Sequence, residues 1–223
     1  MLGFANRAGI INGHVVNTQP KGPLHGVRVL DLTQVMSGPI ATMLLADQGA
    51  EVIKVEIPGG ENMRRFGRDN HGVSDTFLCS NRGKRSLGVN LKTERGLEIV
   101  KRLAATSDVF VQNFRPGTID RLGLGESVVR RLRDDIIYVS INGVGETGPY
   151  AKQRTYDPVI QALSGMAEVQ KDRETGEPRM VRVVVADKIT ALTAAQAISS
   201  ALFARERTGA GQHVKVAMLD TMV

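Results

Sequence analysis

Asp187 is the residue whose type and setting most directly suggest chemistry. It follows the apolar run MVRVVVA (180–186) and opens DKITALTAAQAISSALFARERTG. The run reads as a strand and the second segment as a long helix to about Arg207. Two roles stay open for the carboxylate. As a helix N-cap it would accept a hydrogen bond from the backbone N–H of Thr190 or a neighbour. At the carboxyl end of a strand it would instead face the ligand side of a sheet and could act as a nucleophile. A second constellation is Asn113-Phe114-Arg115-Pro116-Gly117, with Arg121 one helical turn on. Arg115 and Arg121 offer forked donors to phosphate, and the ring and amide could flank a base. The alternative is a Pro-Gly turn with solvated arginines. A third is Thr33-Gln34-Val35-Met36-Ser37-Gly38-Pro39, between a strand and a helix, where a helix N-terminus can hold phosphate. Its alternative is a tight turn that uses the backbone freedom of Gly38. A fourth is Asn81-Arg82-Gly83-Lys84-Arg85-Ser86, with Lys92 six residues beyond. Three cations in four residues suit a multiply phosphorylated ligand, or simply a solvated charge run.

Other reactive types carry less. Cys79 follows Phe77-Leu78 and reads as a buried, inert thiol. His14, His25, His71 and His213 lack metal-ligand spacing, so no metal is expected. There is no G-x-S-x-G elbow and no G-x-x-x-x-G-K-[ST] loop. The G-x-G-x-x-G dinucleotide fingerprint is also missing, and Gly123-Leu124-Gly125 follows no strand. Asp157, in YDPVIQALSG, reads as a turn acid or a helix cap.

These residues need elements to position them. Strands are expected at 27–32, 51–56, 85–90, 108–114, 136–142, 180–186 and in HVKVAM from His213. Between the first two lies a helix that begins with Pro39 and ends at Gly49, a natural C′ glycine. Further helices are expected from Thr93 to about Ala105, in short pieces up to Arg133, near 158–168, and from Asp187. Residues 57–76 read as a long loop and 170–179 as a surface loop or hairpin. Residues 1–22 read as a loose leader, and 23–223 as one domain. Alternating strands and helices give an α/β fold with a largely parallel sheet and right-handed connections. Ligands in such sheets sit beyond the carboxyl ends of the strands. The loops that matter are therefore 33–38, 57–66, 113–121, 143–157 and 185–188.

Composition narrows the function classes. The chain has 223 residues, 42% hydrophobic and 23% charged, with a mean hydropathy of −0.11. That fits a folded soluble domain rather than disorder. No apolar run nears the roughly 18–20 residues of a membrane span. One cysteine cannot form an intramolecular disulfide, so a reducing, cytoplasmic setting is expected. The N-terminus shows no signal-peptide pattern. A net charge of +6 favours anionic partners. Aromatics are only 4%, with no Trp, so base stacking is poorly supplied. A phosphate-bearing small molecule accounts for the charge at least as well as nucleic acid does, and neither nucleic acid nor membrane is expected as a partner.

From about Gly26 to Val223 the sequence resembles the class III CoA-transferase family, with its relatives the α-methylacyl-CoA racemases. The likeness rests on ordered segments: GVRVLDLTQVMSGPIATMLLADQGAEVIKVE, NRGKRSLGVNLKTERG, DVFVQNFRPGTIDRLGLG, IIYVSINGVGETGPY, YDPVIQALSG and VADKITALTAAQAISSALFARERTGAGQHVKVAMLD. The resemblance implies a Rossmann-like α/β domain that binds coenzyme A without the dinucleotide fingerprint. It matches Asp187 to the family's catalytic aspartate, which attacks an acyl-CoA thioester. The implied path runs through an aspartyl anhydride and an aspartyl-CoA thioester to a carboxylic acid acceptor. It implies CoA contacts for Gln34, Val35, Lys92, Asn113, Phe114 and Arg121, and for Lys84 and Arg85. The racemases carry a histidine just before the aspartate matched to Asp157. Tyr156 stands there in this chain and disfavours a two-base racemase. Ile57 stands where some relatives carry a basic residue that reaches the nucleotide. Family members are about twice as long and form an interlocked homodimer. The chain is thus expected to be an N-terminal half without the small domain, return segment and glycine-rich loop. A CoA-binding module without turnover is the remaining alternative.

Overall fold

The computed structural model describes residues 22–223, and the backbone of two short antiparallel strands, Gly9–Ile11 and His14–Val16. Most of the leader expected at 1–22 lies outside the described residues. Six strands form one sheet: β1 (Arg28–Asp31), β2 (Glu51–Glu56), β3 (Lys84–Gly88), β4 (Val109–Gln112), β5 (Ile137–Asn142) and β6 (His213–Ala217). Their order is β6-β5-β4-β1-β2-β3, and every pairing is parallel. That is the doubly wound order of dinucleotide-binding folds, with the chain reversing its direction of travel between β1 and β4. The expected Rossmann-like α/β class is therefore what the chain adopts. β1 is central, paired through Leu30 with Ile53 on one side and Phe110 on the other.

The helices divide between the two faces. α1 (Ser37–Asp47) and the 24-residue α8 (Val185–Thr208) cover one face. Val29, Val52, Val111, Val139 and Val216 pack there against Ala41 and Leu45 of α1 and Ile198 and Leu202 of α8. Ala191, Ala194, Ala195 and Ala201 are buried on α8, and their small side chains let the two helices and the sheet approach closely. α3 (Glu94–Ala104), α4 (Thr118–Arg121) and α5 (Glu126–Leu132) cover the other face. There Val100, Ala104, Ile119 and Val129 meet Leu30, Phe110 and Tyr138. Thr93 starts α3 as expected, its hydroxyl accepting the Gly96 N–H at 3.2 Å. α1 ends at Gly49, where φ is +97°. α2 (Asp75–Asn81), α6 (Asp157–Leu163) and α7 (Met166–Val169) complete the set. No helix among the described residues is long and apolar enough to cross a membrane.

Several expectations need correction. Residues 180–184 are not a strand, and Val185 already begins α8. Met180 and Val183 are exposed. The segment's backbone bonds go to the side chain of Gln161: its amide oxygen accepts the Val181 N–H at 2.8 Å, and its amide nitrogen reaches the Val181 carbonyl at 3.2 Å. Apolar composition alone cannot distinguish this latched segment from a sheet strand. Pro39 is the third residue of α1, where the N–H would still lack an intrahelical partner. Gly38 serves close approach rather than backbone freedom, since a Cβ there would lie 2.4 Å from Cβ of Thr33. The single helix expected near 158–168 breaks at Gly165, φ +81°. Ser74 caps α2, a helix the sequence reading did not place, and turns Phe77 inward while Cys79 faces solvent.

A buried ionic cluster sits at the carboxyl end of β1. Lys84 Nζ donates to Asp31 Oδ2 (2.9 Å), to the Pro39 carbonyl (2.8 Å) and to Asn81 Oδ1 (2.8 Å). Thr33 and Thr42 hydroxyls donate to the same Asp31 carboxylate. Burial pushes Asp31 up, but Lys84, Lys54 and the two hydroxyls outweigh it and hold the acid at about 2. The cluster thus ties β1, α1, α2 and β3 together. Lys84→Met leaves the buried carboxylate short of a partner. It should cost about 3–5 kcal/mol in urea unfolding followed by circular dichroism. Adding Asp31→Asn should recover part of that loss; an unchanged midpoint in Lys84→Met would show that the cluster contributes nothing.

Candidate functional site

The carboxyl ends of β1, β4 and β5 open onto a cleft of about 290 Å³. Its walls are the loops after these strands: Gln34 and Val35 after β1, Asn113 to Pro116 after β4, and residues 142–156 after β5. Asp187 closes one end from the first turn of α8. The site lies at the β1/β4 switch point, where the two loops diverge and leave a crevice. Asn113 clamps the two loops. Its Oδ1 accepts the Gln34 N–H and its Nδ2 donates to the Gln34 carbonyl, both at 2.8 Å.

Asp187 is 8% exposed. It is not the N-cap of its helix: that position is Val184, and Asp187 is the third helical residue. The cap comes from another element. Asp157, at the start of α6, accepts the Asp187 N–H through Oδ2 at 3.0 Å and is held by Gln161 Nε2 at 2.6 Å through Oδ1. This leaves the Asp187 side chain free of its own helix. Its Oδ1 accepts the Ser37 N–H, at the N-terminus of α1, at 3.1 Å. Burial, with the nearby Asp157 carboxylate, raises the Asp187 acid from 3.8 to about 6, against the opposing Ser37 hydrogen bond. The carboxylate is therefore mostly ionised at neutral pH yet poorly solvated, a suitable state for a nucleophile.

Val35 has φ +68°, which a β-branched residue adopts only under constraint. Its N–H donates to Glu61 Oε2 at 3.2 Å. Glu61 Oε1 is buried without a hydrogen bond and lies 3.4 Å from Lys54 Nζ. Burial pushes the Glu61 acid up. A residue 26 positions away thus holds the cleft-facing turn in a strained form, a contact with no sequence signal.

The structure brings Gln34, Val35, Asn113, Phe114 and Asp187 together around the cleft. It separates the remaining expected contacts from that wall. Lys84 is buried with all three donors occupied inside the fold, so it offers nothing to a ligand. Arg85, on edge strand β3, pairs with Glu51 at 2.9 Å. Lys92 lies exposed in the turn before α3, and Arg121, exposed at the end of α4, reaches the Thr118 hydroxyl at 3.0 Å. Sequence reading missed the role of Ser37 and did not place Arg154 at the cleft. Ser37 lay in a flagged segment but contributes a backbone N–H, which residue type does not reveal. Among the described residues no group of three His, Cys, Asp or Glu side chains could hold a metal ion.

Comparison with known proteins shows the family and the fold. The family model for CoA-transferase family III matches residues 24–223. A succinyl-CoA:glutarate CoA-transferase of Mus musculus is 45% identical over 90% of this chain and 46% of its own length. A formyl-CoA:oxalate CoA-transferase of Streptomyces avermitilis is 44% identical over 87% of this chain and 47% of its own. The crystal structure of a CAIB/BAIF family protein from Brucella suis superposes with a TM-score of 0.87 at 40% identity, over 91% of this chain and 55% of that one. The chain spans about half the length of these relatives. With the family model matching residues 24–223, the chain belongs to CoA-transferase family III.

Proposed function

We propose that this chain supplies the CoA-binding, nucleophile-bearing half of a CoA-transferase. One observation carries the reading: Asp187, buried in the cleft and held by the Ser37 N–H at the N-terminus of α1. The Asp187 carboxylate attacks the thioester carbonyl of an acyl-CoA. The C–S bond breaks, and the CoA thiolate leaves an acyl-aspartyl anhydride. That thiolate attacks the aspartyl carbonyl, releasing the first carboxylate and forming an aspartyl-CoA thioester. An acceptor carboxylate then attacks the thioester and expels the thiolate again. The thiolate takes the new acyl group and restores Asp187. No net proton is consumed, so no acid–base pair is needed. As negative charge develops on the aspartyl oxygen, the Ser37 N–H and the positive end of the 11-residue α1 stabilise it.

The nucleotide end of CoA lies on the β1 and β4 side in this reading. Gln34, Val35, Asn113 and Phe114 line the cleft, and Lys92 and Arg121 reach the phosphates from outside its wall. A racemase would need two titrating groups at the substrate. Asp157 instead spends both carboxylate oxygens on the Asp187 N–H and on Gln161, and its neighbour is the phenol Tyr156. The interlocked homodimer implied for the longer protein belongs to the same proposal. Leu192 and Phe203 stand exposed on α8 and offer a partner an apolar face.

Asp187→Asn should lower CoA transfer in the full-length protein by at least about 10³-fold while CoA binding persists. Rapid-quench thiol release from acyl-CoA should rise with pH through about 6 and then level, as the Asp187 nucleophile ionises. Transfer that survives in Asp187→Asn would remove this residue from the mechanism.

Stability should move the other way. An acid whose folded value is raised holds its proton in the folded state after the unfolded chain has lost it. Stability therefore falls as pH rises from about 4 to 6 and stays reduced above that window. Asp187→Asn should raise the unfolding free energy from urea titration at pH 7.5, by up to about 3 kcal/mol. The gain should fade at pH 4; a loss of stability at pH 7.5 would contradict the burial argument.

A further inference from the structure

The turn after β1 carries a left-handed residue that is not glycine: Val35, at φ +68°. A β-branched side chain is crowded by its own backbone there, so groups outside the turn must hold it. Two side chains grip this stretch. Asn113 takes the Gln34 N–H and carbonyl, both at 2.8 Å. Glu61 takes the Val35 N–H through Oε2 at 3.2 Å. Glu61 is itself fixed in place. Its N–H donates to Glu56 Oε2 at 3.0 Å, and Arg64 closes on the same carboxylate through Nε and Nη2 at 2.7 and 2.6 Å. Glu61 is 6% exposed. Its other oxygen, Oε1, lies 3.4 Å from Lys54 Nζ without a hydrogen bond, while that ammonium donates to the Thr33 carbonyl at 2.9 Å. Burial pushes the Glu61 acid up, so the fold gains geometry rather than stability by keeping it there.

We propose that Glu61 is a positioning residue of the cleft: by holding Val35 left-handed, it fixes the turn that presents Gln34 to coenzyme A and the Ser37 N–H to Asp187. The inference rests on the CoA-transfer reading and adds to it a residue that lies outside the cleft wall. Connectivity carries it. Met36 alone separates Val35 from Ser37. A rotation of Val35 toward an ordinary φ therefore redirects the chain as it enters α1. The Ser37 N–H then leaves Asp187 Oδ1, which it meets at 3.1 Å in the held form. Asn113 cannot prevent this by itself, because both its bonds end at Gln34, one residue before the strained φ. The amide isostere breaks the grip with little change of shape. Glu61→Gln leaves one acceptor oxygen between two donors, the Lys54 ammonium and the Val35 N–H. The ammonium takes the oxygen, and the amide NH₂ is left facing the Val35 N–H.

Glycine takes a left-handed φ at little cost, which separates positioning of the turn from bracing of Lys54. CoA affinity of the full-length protein is read by calorimetry, and the Ser37 amide by nitrogen-15 NMR of serine-labelled protein against pH. In the wild type that amide should show a step near about 6, absent in Asp187→Asn. Glu61→Gln should weaken CoA binding about tenfold and move the step upward or abolish it. The other charged groups about Asp187 stay in place in each variant: Asp157 from α6, and Arg115 and Arg154 on the cleft wall. In a Val35→Gly background the same replacement should cost no more than about twofold, with the step restored. Lys54→Met with Glu61→Leu buries no charge and gives Val35 no acceptor. It should show the same loss and the same rescue, and it decides the matter if Glu61→Gln does not fold. CoA affinity within about twofold of wild type, or a loss that Val35→Gly does not reduce, overturns the proposal. A Ser37 step missing from the wild type or unmoved by Glu61→Gln also overturns it. Neither readout needs turnover, so transfer that survives in Asp187→Asn would sink the chemistry and leave the Glu61 result standing.

Discussion

One hydrogen bond organises the catalytic end of this fold: the Ser37 N–H to Asp187 Oδ1, joining the first turns of α1 and α8. A carboxylate that is nine-tenths buried needs a donor, and a helix N-terminus supplies one that no side chain has to spend entropy providing. The bond requires the starts of both helices to meet at the β1/β4 switch point. Much of the architecture serves that meeting. Buried alanines on α8 allow the helix to lie close against α1 and the sheet. Gly38 lets the start of α1 pass against Thr33. Asp157 takes over the capping of α8, so Asp187 is not drawn back to its own backbone.

A second layer of charge lies behind the cleft. Asp31, Lys84, Lys54 and Glu61 are each less than a tenth exposed as side chains, and they link β1, β2, β3 and the loop after β2. Lys54 Nζ also donates to the Thr33 carbonyl at 2.9 Å, next to the turn that carries Gln34 and Val35. Buried pairs of this kind contribute little net stability over apolar packing, but they fix geometry, because any displacement leaves a charge unpartnered. Here the fixed geometry includes the strained Val35. The basic segment from Arg82 to Arg85 is therefore divided between roles: Lys84 builds this layer, while Arg82 and Arg85 pair on the surface with Asp47 and Glu51.

The order of elements was legible along most of the chain because hydrophobic period and turn chemistry are local. VRVLDL, EVIKVE and IIYVSIN pair where expected, Thr93 starts α3, and Gly49 closes α1. The failures share a cause. MVRVVV looks like a strand but is latched by Gln161, which comes 20 residues earlier, and no local pattern distinguishes the two fates. Cys79 follows two apolar residues, yet the Ser74 cap sets the helical phase that turns it outward.

By itself, the sequence determined the α/β class, the strand-to-helix turns at the sheet's carboxyl edge, and the family to which the chain belongs, since these rest on residue patterns within short windows. Only the tertiary structure decided which flagged groups share a space. It placed Asp187 beside the N–H of a residue 150 positions away, drew Lys84 into the interior, and left Arg115 and Arg154 unpaired in the cleft. Charge and reactivity depend on burial and on partners remote in sequence, and those exist only once the sheet has brought its loops together.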